Sequence, residues 1–458
     1  MMAGTELGAD RAHGALDPVS LRVALVLLTV VLLAIGCSDA GYGYAPVAIA
    51  AVLAGAGVAL LAAVRPHMKA EVSLPGYLWL AACCVCAALN LMPGLLAANR
   101  AVAMGATAVL IACVLALCTG PLEGRRRLVG ALGIGADLAL AAVNMQWGRA
   151  GIDVSGFTQG ATQQLLLGRN PYAASYPTST HIPPLVHFPF GPGVLLMAAP
   201  FRLLGDIRAA NAAVMVVLLL AVAALARRHG GGLHASRCLA LAISLPFVPF
   251  MIVNAWPEVY PVAGTALWLL WRDRHPAWGV VALGLGLAAV PTAAPLLVLP
   301  WLWWPAARRE VTAGALFAIL VAVPFALWAG PRRFIADTAG LQLSLGPRPD
   351  GLSLNGLFWH LHLGWLPWWV GIAASGTFLI FAAIRKRPTW GDAMALGATL
   401  SLVAFVTAKW AFFNYYFIVA MGFLLALTWL GATPDGVVEH PMAAASEASP
   451  APSLAAAT

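Results

Sequence analysis

The sequence predicts an all-α protein that crosses a membrane many times. Hydrophobic residues make up 61% of the 458 residues, charged residues make up 10%, and the mean hydropathy is +0.85. Apolar runs of about 18 to 22 residues recur along the chain, and about 20 apolar residues span the hydrocarbon core of a bilayer as a helix. The net charge of +8 comes from short basic clusters between these runs. That pattern is typical of the positive-inside rule and not of a nucleic-acid-binding surface.

The apolar runs divide the chain into four parts. A cytoplasmic segment, 1–19, precedes an N-terminal transmembrane addition, 20–127, and a larger transmembrane module, 128–431, follows. The runs lie at about 20–37, 44–64, 76–93, 101–119, 128–146, 208–226, 238–254, 258–271, 277–290, 292–305, 311–329, 364–384, 391–408 and 413–431. They predict about 13 or 14 spans. The remaining tail, 432–458, is rich in Ala, Ser and Pro and is predicted to be disordered in the cytoplasm.

Charge decides how to interpret the segment 188–204, which is apolar but contains three prolines and an arginine. If this segment stays on the outer face, 17 of the 26 basic residues lie on the cytoplasmic side and nine lie outside. If it spans, the split is 13 and 13. The first arrangement obeys the positive-inside rule. We therefore expect an interfacial helix on the outer leaflet, with the whole interval 148–206 outside and the loops 227–237 and 385–389 inside.

The runs 277–290 and 292–305 are short and meet at Val290-Pro-Thr-Ala-Ala-Pro295. They predict a kinked hairpin that does not fully cross the membrane on each pass. Broken helices at membrane depth are tolerated only where protein or a cavity covers them. This hairpin therefore indicates a cavity on the outer side.

The interval 148–206 is the longest in which polar groups gather, and it begins with one carboxylate, Asp153. Phe157, Ala161 and Leu165 recur at four-residue spacing, which predicts a short amphipathic helix along the membrane surface that ends at Gly168. Asp153 either caps this helix or occupies its first turn, or it acts as a general base towards a hydroxyl nucleophile. From residue type and position alone, the capping role is favoured.

Several cationic or proton-donating side chains in the outer segments are candidate phosphate ligands. They are Arg169, His181, His187, Arg332, Arg333 and Lys409, with Arg348 as a further alternative. An arginine can bind phosphate through its planar guanidinium, but long basic side chains also snorkel to lipid headgroups. The aromatic residues after Lys409 equally predict an interfacial belt.

Two acids lie elsewhere in the bundle. Glu258 is predicted at an outer helix end, where it could assist a metal, bind an acceptor hydroxyl or face water. Further candidates for acceptor or accessory contacts are Gln163, Tyr172, Asn414 and Tyr415. Asp137 lies near the middle of the run 128–146, and an acid at that depth is a functional-site hypothesis by default. The alternative for Asp137 is a protonated or hydrogen-bonded packing role. The seven cysteines lie within or at the ends of apolar runs and indicate neither disulfides nor a metal site.

At this point several motifs together resemble a known family. Asp153 is followed by Leu-Leu-Leu-Gly168-Arg-Asn-Pro-Tyr172, Ile-Pro-Pro-Leu185, an apolar interfacial segment and Gly205-Asp206. This order resembles the first outer loop of GT-C glycosyltransferases, especially glycosyltransferase family 87, the polyprenyl-phosphate mannosyltransferase-like membrane proteins of actinobacteria. Phe334-Ile-Ala-Asp337-Thr, Gly346-Pro-Arg-Pro-Asp-Gly-Leu-Ser-Leu354 and Phe413-Asn-Tyr-Tyr416 are also similar to the family.

The resemblance implies an enzyme of the plasma membrane with its active site on the outer face. It implies transfer of a hexose, most plausibly mannose, from a polyprenyl phosphate to a glycolipid or cell-wall glycan hydroxyl, with inversion and with Asp153 as the base. No second acid adjoins Asp153, so a divalent metal is not indicated. The four N-terminal spans and Val290-Pro-Thr292, where the family often has a lysine, depart from the pattern. A transporter or lipid flippase that uses Asp137, or an inactive scaffold, are the alternatives.

Overall fold

A computed structural model describes residues 18–38, 44–65, 74–91, 100–119, 123–146, 153–177, 185–385 and 389–430. The helices before the polar interval are α1 (Pro18–Cys37), α2 (Pro46–Val64), α3 (Gly76–Leu89), α4 (Arg100–Thr119) and α5 (Arg126–Gln146), with a 3₁₀ turn at Glu123–Arg125. The interval itself contains α6 (Asp153–Leu166), β1 (Tyr176–Pro177), β2 (Leu185–Val186) and α7 (Pro192–Leu203). The predicted cytoplasmic segment 1–19, apart from its last two residues, and the predicted disordered tail lie outside the described residues.

The remaining helices complete the bundle. They are α8 (Arg208–Ser244), α9 (Phe247–Val253), α10 (Val259–Trp271), α11 (Pro276–Ala289), α12 (Ala294–Trp303), α13 (Pro305–Ala329), α14 (Pro331–Ile335), α15 (Leu341–Ser344), α16 (Leu354–His360), α17 (Trp368–Ala383), α18 (Trp390–Thr407) and α19 (Phe413–Leu430). A 3₁₀ turn, Pro291–Ala293, separates α11 from α12, and a π-helical turn, Ala336–Gly340, separates α14 from α15.

The chain forms an all-α polytopic membrane protein. Within the described ranges, seven helices are long and apolar enough to cross a membrane, or up to eight if the bent pair α11–α12 counts as one span. The seven are α1, α2, α4, α8, α13, α18 and α19. The runs predicted at 76–93, 258–271 and 364–384 form helices of only 14, 13 and 16 residues. The expected 13 or 14 spans are therefore matched only in part.

The predicted kink between the two short runs that meet at Val290 is confirmed, whereas their incomplete crossing and the outer cavity beside them stay predictions. Helices α11 and α12 are bent by 114° at the break between them. Pro291 removes a backbone donor at this point, and Val290 adopts an extended conformation, so the helix cannot continue. The backbone N–H of Gly191, just before α7, donates to the carbonyl oxygen of Ala289 at 3.0 Å. Protein thus covers part of the broken backbone, as membrane depth requires.

The expected loop 227–237 is instead a sharp break inside α8. Helical structure continues on both sides of Gly230 and Gly231, and Gly231 has a φ of +75° and a ψ of −168°. Only glycine adopts this conformation without strain, so a two-residue turn replaces the predicted eleven-residue loop. The second half of α8 and α9 together occupy the run predicted at 238–254.

Helix α7 has 12 residues, which extend about 18 Å and fall well short of a bilayer core of about 30 Å. Its length therefore fits the predicted interfacial helix better than a span. Gly193 faces the α11 backbone so closely that a Cβ would lie 2.5 Å from the Ala289 nitrogen. Close packing at this glycine holds α7 against the bent pair.

Long-range contacts connect segments that the predicted membrane topology places on the same side of the membrane. At one end, Asn170 contacts Trp328 and Glu258 contacts Asn414. At the other end, Arg22 pairs with Asp392, Arg385 donates to Arg65, and Arg272 pairs with Glu310. One continuous hydrophobic core runs from Val23 in α1 to Leu427 in α19. The four N-terminal helices therefore share the core of the larger module.

Candidate active site

Helix α6 ends in a glycine cap, after which the chain runs to the end of α13. Gly168 has a φ of +67°, its N–H donates to the Leu165 carbonyl at 3.0 Å, and the Arg169 N–H donates to the Gln164 carbonyl at 2.9 Å. These two bonds form a Schellman motif, which satisfies the last carbonyls of a helix. Phe157 and Ala161 are buried, so the predicted amphipathic helix and its end at Gly168 are confirmed.

The segment after Gly168 docks on the end of α13. The Asn170 side-chain amide donates to the Trp328 carbonyl at 2.9 Å, and the Asn170 side-chain oxygen accepts from the Tyr172 N–H at 2.9 Å. Tyr172 is fully buried, its ring lies 4.9 Å from that of Phe334, and its hydroxyl donates to the Phe190 carbonyl at 2.9 Å. Its hydroxyl proton is thus engaged within the fold, so Tyr172 anchors the loop.

The return strand brings His187 to the same place. Tyr176 pairs with Val186 in the two-residue antiparallel ladder, and His187 follows directly. His187 Nδ1 lies 2.9 Å from the Ala174 carbonyl oxygen, so the Nδ1–H donates there. The Arg333 Nη2 lies against the same ring, 3.2 Å from both Nδ1 and Nε2. The same Nη2 donates to the Ala173 carbonyl at 3.1 Å.

Arg333 in turn faces a carboxylate one helical turn later. Its Nε lies 3.7 Å from Asp337 Oδ2, too far for a hydrogen bond but close enough for an ion pair. Asp337 Oδ2 is buried and receives no hydrogen bond. Burial raises the pKa of the Asp337 carboxyl, whereas the charges of His187 and Arg333 oppose that shift. We call His187, Arg333 and Asp337 the loop cluster.

A cavity of about 410 Å³ opens beside the loop cluster. It is lined by Val186, His187, Ala336, Asp337, Gly340, Leu341 and Ser344. Asp337 and its neighbours lie on the π-helical turn 336–340, a rare geometry that occurs often at functional sites. A guanidinium, an imidazole and a carboxylate thus meet next to a partly apolar hollow.

The other predicted residues of the outer segments do not line this cavity. Asp153 is the first residue of α6 and is half-buried, and Gln163 is half-buried on the same helix. Arg169 and Arg332 are exposed. None of these four lines the cavity described above. Asp153 therefore occupies the first helical turn, one of the two positions expected for it, and its role as a base remains a prediction. His181 lies outside the described residues.

Lys409 has partners within the fold. Its ammonium donates to the carbonyl oxygens of Leu343, at 2.9 Å, and of Leu345. These carbonyls belong to α15 and the residue that follows it, so Lys409 holds the segment 341–345 in place. Arg348 likewise pairs with Asp350 and is engaged.

Glu258 forms a second, buried polar group. It is 3% exposed and lies in the turn between α9 and α10, where its Oε1 accepts from the Asn414 side-chain amide at 2.7 Å. Glu258 Oε2 is buried without a hydrogen-bond partner. Ala255 in the same turn has a φ of +51°, a strained value for a residue with a Cβ. The structure thus brings together Glu258 and Asn414, while the neighbouring Tyr415 packs on Phe405 at 5.1 Å.

The Glu258→Gln variant is expected to remove a pH-dependent loss of stability. Burial raises the pKa of Glu258 to about 7 from an ordinary 4.5, and its hydrogen bonds oppose that rise. The folded state thus holds this proton more tightly than the unfolded state does, so the stabilisation is complete below pH 4.5 and is lost as the pH rises through 7. The loss is at most about 3.5 kcal/mol, at about 1.4 kcal/mol per pKa unit.

Unfolding of the detergent-solubilised protein at pH 5, 6, 7 and 8 measures this difference. The wild type should become less stable relative to Glu258→Gln with each step upward. A constant difference between the two proteins across this range would show that Glu258 does not titrate there.

Asp137 lies in α5, 1% exposed, and neither of its oxygens has a hydrogen-bond partner among the described residues. No group of three or more His, Cys, Asp or Glu side chains within the described part of the chain is arranged to hold a metal ion. No family model, no curated protein and no solved structure matches the chain. The functional assignment therefore depends on the residues themselves.

Sequence reasoning identified His187 and Arg333 as separate phosphate ligands but did not single out Asp337. Asp337 stood only inside the motif Phe334-Ile-Ala-Asp337-Thr. The spacing of Arg333 and Asp337, four residues apart, is one signal that would have paired them, because such residues face each other on a helix. The contact with His187 across 146 residues had no comparable signal.

Proposed function

We propose that this protein is a GT-C-like membrane glycosyltransferase. It would transfer a hexose, most plausibly mannose, from a polyprenyl phosphate to a hydroxyl of a glycolipid or cell-wall glycan. The reaction would take place on the outer face of the plasma membrane, so that membrane lipids surround the bundle and both lipid-linked substrates reach the site from the bilayer. The predicted span count and the active-site side belong to this proposal.

One observation carries the proposal: two residues predicted as phosphate ligands, His187 and Arg333, meet beside a cavity although they are 146 residues apart in sequence. The Arg333 side chain is 42% exposed, so its guanidinium can reach a ligand at the cavity mouth. A fixed cation next to the leaving group stabilises the charge that develops on a departing phosphate. Arg332, also exposed, adds a second positive charge nearby.

The reaction uses the loop acid as a base. The acceptor oxygen attacks the anomeric carbon, its proton passes to the Asp153 carboxylate, and the bond between the anomeric carbon and the phosphate oxygen breaks. Polyprenyl phosphate leaves with the bonding electron pair, and its charge is balanced by Arg333 and its neighbours. Attack from the face opposite the leaving phosphate inverts the anomeric configuration. The assignment of Asp153 rests on the family resemblance.

The Arg333→Ala variant is expected to lower transfer from radiolabelled polyprenyl-phosphate mannose in isolated membranes by about 10²-fold, the usual cost of losing one such electrostatic group. Arg333→Lys should recover only part of this activity, because an ammonium cannot reproduce the guanidinium fork.

Arg208→Ala is the matched control, since Arg208 pairs with Asp206 away from the loop cluster. Equal transfer by all four proteins would contradict the role of Arg333. Absence of transfer by the wild type across several donors and acceptors would contradict the enzyme itself.

A transporter or lipid flippase is the second candidate, and two observations favour it. The α11–α12 pair is bent by 114°, and Asp137 is buried with both oxygens unpartnered among the described residues. Reconstituted protein would then move a lipid-linked substrate across vesicles without any hexose transfer, and Asp137→Asn would abolish that movement. Hexose transfer that survives Asp137→Asn would favour the glycosyltransferase.

A further inference from the structure

We propose that the cavity beside the loop cluster is the subsite for the donor hexose and that Asp337 is its specificity-determining residue. Asp337 would accept hydrogen bonds from hexose hydroxyls while Arg333 binds the adjoining phosphate. This inference rests on the proposed glycosyltransferase function and assigns a substrate group to one part of the same site. It leaves the base role to Asp153.

The first step is the state of the Asp337 carboxylate. Its side chain is 13% exposed and lines the cavity. Its Oδ2 is buried and lies 3.7 Å from Arg333 Nε, so this oxygen forms the ion pair and is closed to a ligand. The other carboxylate oxygen, Oδ1, is the one that can accept a hydrogen bond from a hydroxyl in the cavity.

The second step is the chemistry of the rest of the lining. The Ser344 hydroxyl donates to the Leu341 carbonyl at 3.0 Å, which leaves its oxygen free to accept from a ligand. The His187 ring is held within the fold, by the Ala174 carbonyl at Nδ1 and by the Arg333 guanidinium against the ring. The cavity thus offers acceptors to a ligand that carries hydroxyl donors. Val186, Ala336 and Leu341 add apolar surface for the C–H face of a sugar ring.

The third step separates the hexose from the phosphate. An anion inside the cavity would meet the negative charge of Asp337, whereas Arg333 lies beside the cavity with its guanidinium partly exposed. A neutral polyol in the cavity would donate hydrogen bonds to the Asp337 carboxylate, and a phosphate would pair with the Arg333 guanidinium.

The test compares the wild type with Asp337→Asn, and Asp350→Asn is the matched control because Asp350 pairs with Arg348 in the same segment. Transfer from radiolabelled polyprenyl-phosphate mannose gives the donor KM and kcat. We expect Asp337→Asn to raise the donor KM by about 10- to 100-fold, the cost of losing hydrogen bonds to a charged group, with kcat within about threefold. Discrimination between mannosyl and glucosyl donors should fall in the same variant.

Three results would overturn the inference. They are an unchanged donor KM with unchanged sugar preference, an equal effect of Asp350→Asn, and a fall in kcat of about 100-fold or more at constant KM, which would make Asp337 a proton-transfer group.

Binding of mannose 1-phosphate by saturation-transfer NMR provides a readout that needs no turnover. Loss of binding in Asp337→Asn alone supports the subsite, and binding equal to wild type contradicts it. Failure of the wild type to transfer hexose counts against the proposed function, whereas failure of the Asp337 variant to differ counts only against this subsite.

Discussion

The Asp153→Asn variant is expected to transfer hexose about 10²- to 10⁴-fold more slowly than the wild type, the usual contribution of a general base. Asparagine keeps the size of the side chain but cannot accept a proton. The loss should appear in kcat, because the proton moves only as the acceptor oxygen attacks. Donor KM should change little, since Asp153 lies outside the cavity that we assign to the hexose.

Loss of folding is not expected to mask this result. Helix α6 is held by buried side chains such as Phe157 and Ala161 and by its glycine cap. The Asp153 carboxylate in the first turn also interacts favourably with the helix dipole, by about 0.3 to 1 kcal/mol. This small loss of stability could not cause the expected loss of rate.

Transfer kinetics of purified protein in lipid nanodiscs measure the effect, with Asp206→Asn as the control. Asp206 is another acid of the same interval, but it pairs with Arg208 at the start of α8. Its replacement should leave kcat within about threefold of the wild type. Transfer by Asp153→Asn at the wild-type rate would remove Asp153 from the base role and return it to the structural role that its helix position alone favours.

The Arg22→Met variant is expected to lower the free energy of unfolding by about 3 to 5 kcal/mol, the usual cost of removing one partner of a buried ion pair. Arg22 Nη1 contacts Asp392 Oδ1 between α1 and α18, and the two side chains are 8% and 5% exposed. Asp392 also completes a capping box with Thr389, so it is fixed in place at the start of α18. Without Arg22 a carboxylate would stay buried beside methionine.

The double variant Arg22→Met/Asp392→Asn should recover a large part of this loss, because asparagine removes the unpaired charge and still accepts from the Thr389 N–H. Arg65→Met is the control, since Arg65 is exposed at the end of α2. Denaturant titration in mixed micelles measures all four proteins. A single variant within about 1 kcal/mol of the wild type would mean that water or lipid headgroups replace Arg22. A large loss would show that the N-terminal helices and the larger module stabilise each other.

The bent pair shows which parts of the fold local sequence can determine. The segment Val290-Pro-Thr-Ala-Ala-Pro295 interrupts a long apolar run, and Pro291 after the extended Val290 ends α11 there. The prediction of a kinked hairpin therefore depended on residues within one segment. The break at Gly230 and Gly231 is equally local in cause. The charged residues around this break favoured a loop in the sequence, but two glycines are enough to form the turn.

Membrane class and approximate helix positions were determined by the sequence itself, because the hydrophobic effect of the bilayer acts on composition, segment by segment. Only the tertiary structure decided which polar residues meet. Arg333 reaches His187 and Glu258 reaches Asn414 across 146 and 156 residues, through packing that no local pattern encodes. Asp337 illustrates the difference, since in the sequence it is one acid in a motif. In the fold it is a carboxylate whose Oδ2 is left without a hydrogen bond by the packing of two distant loops beside a cavity.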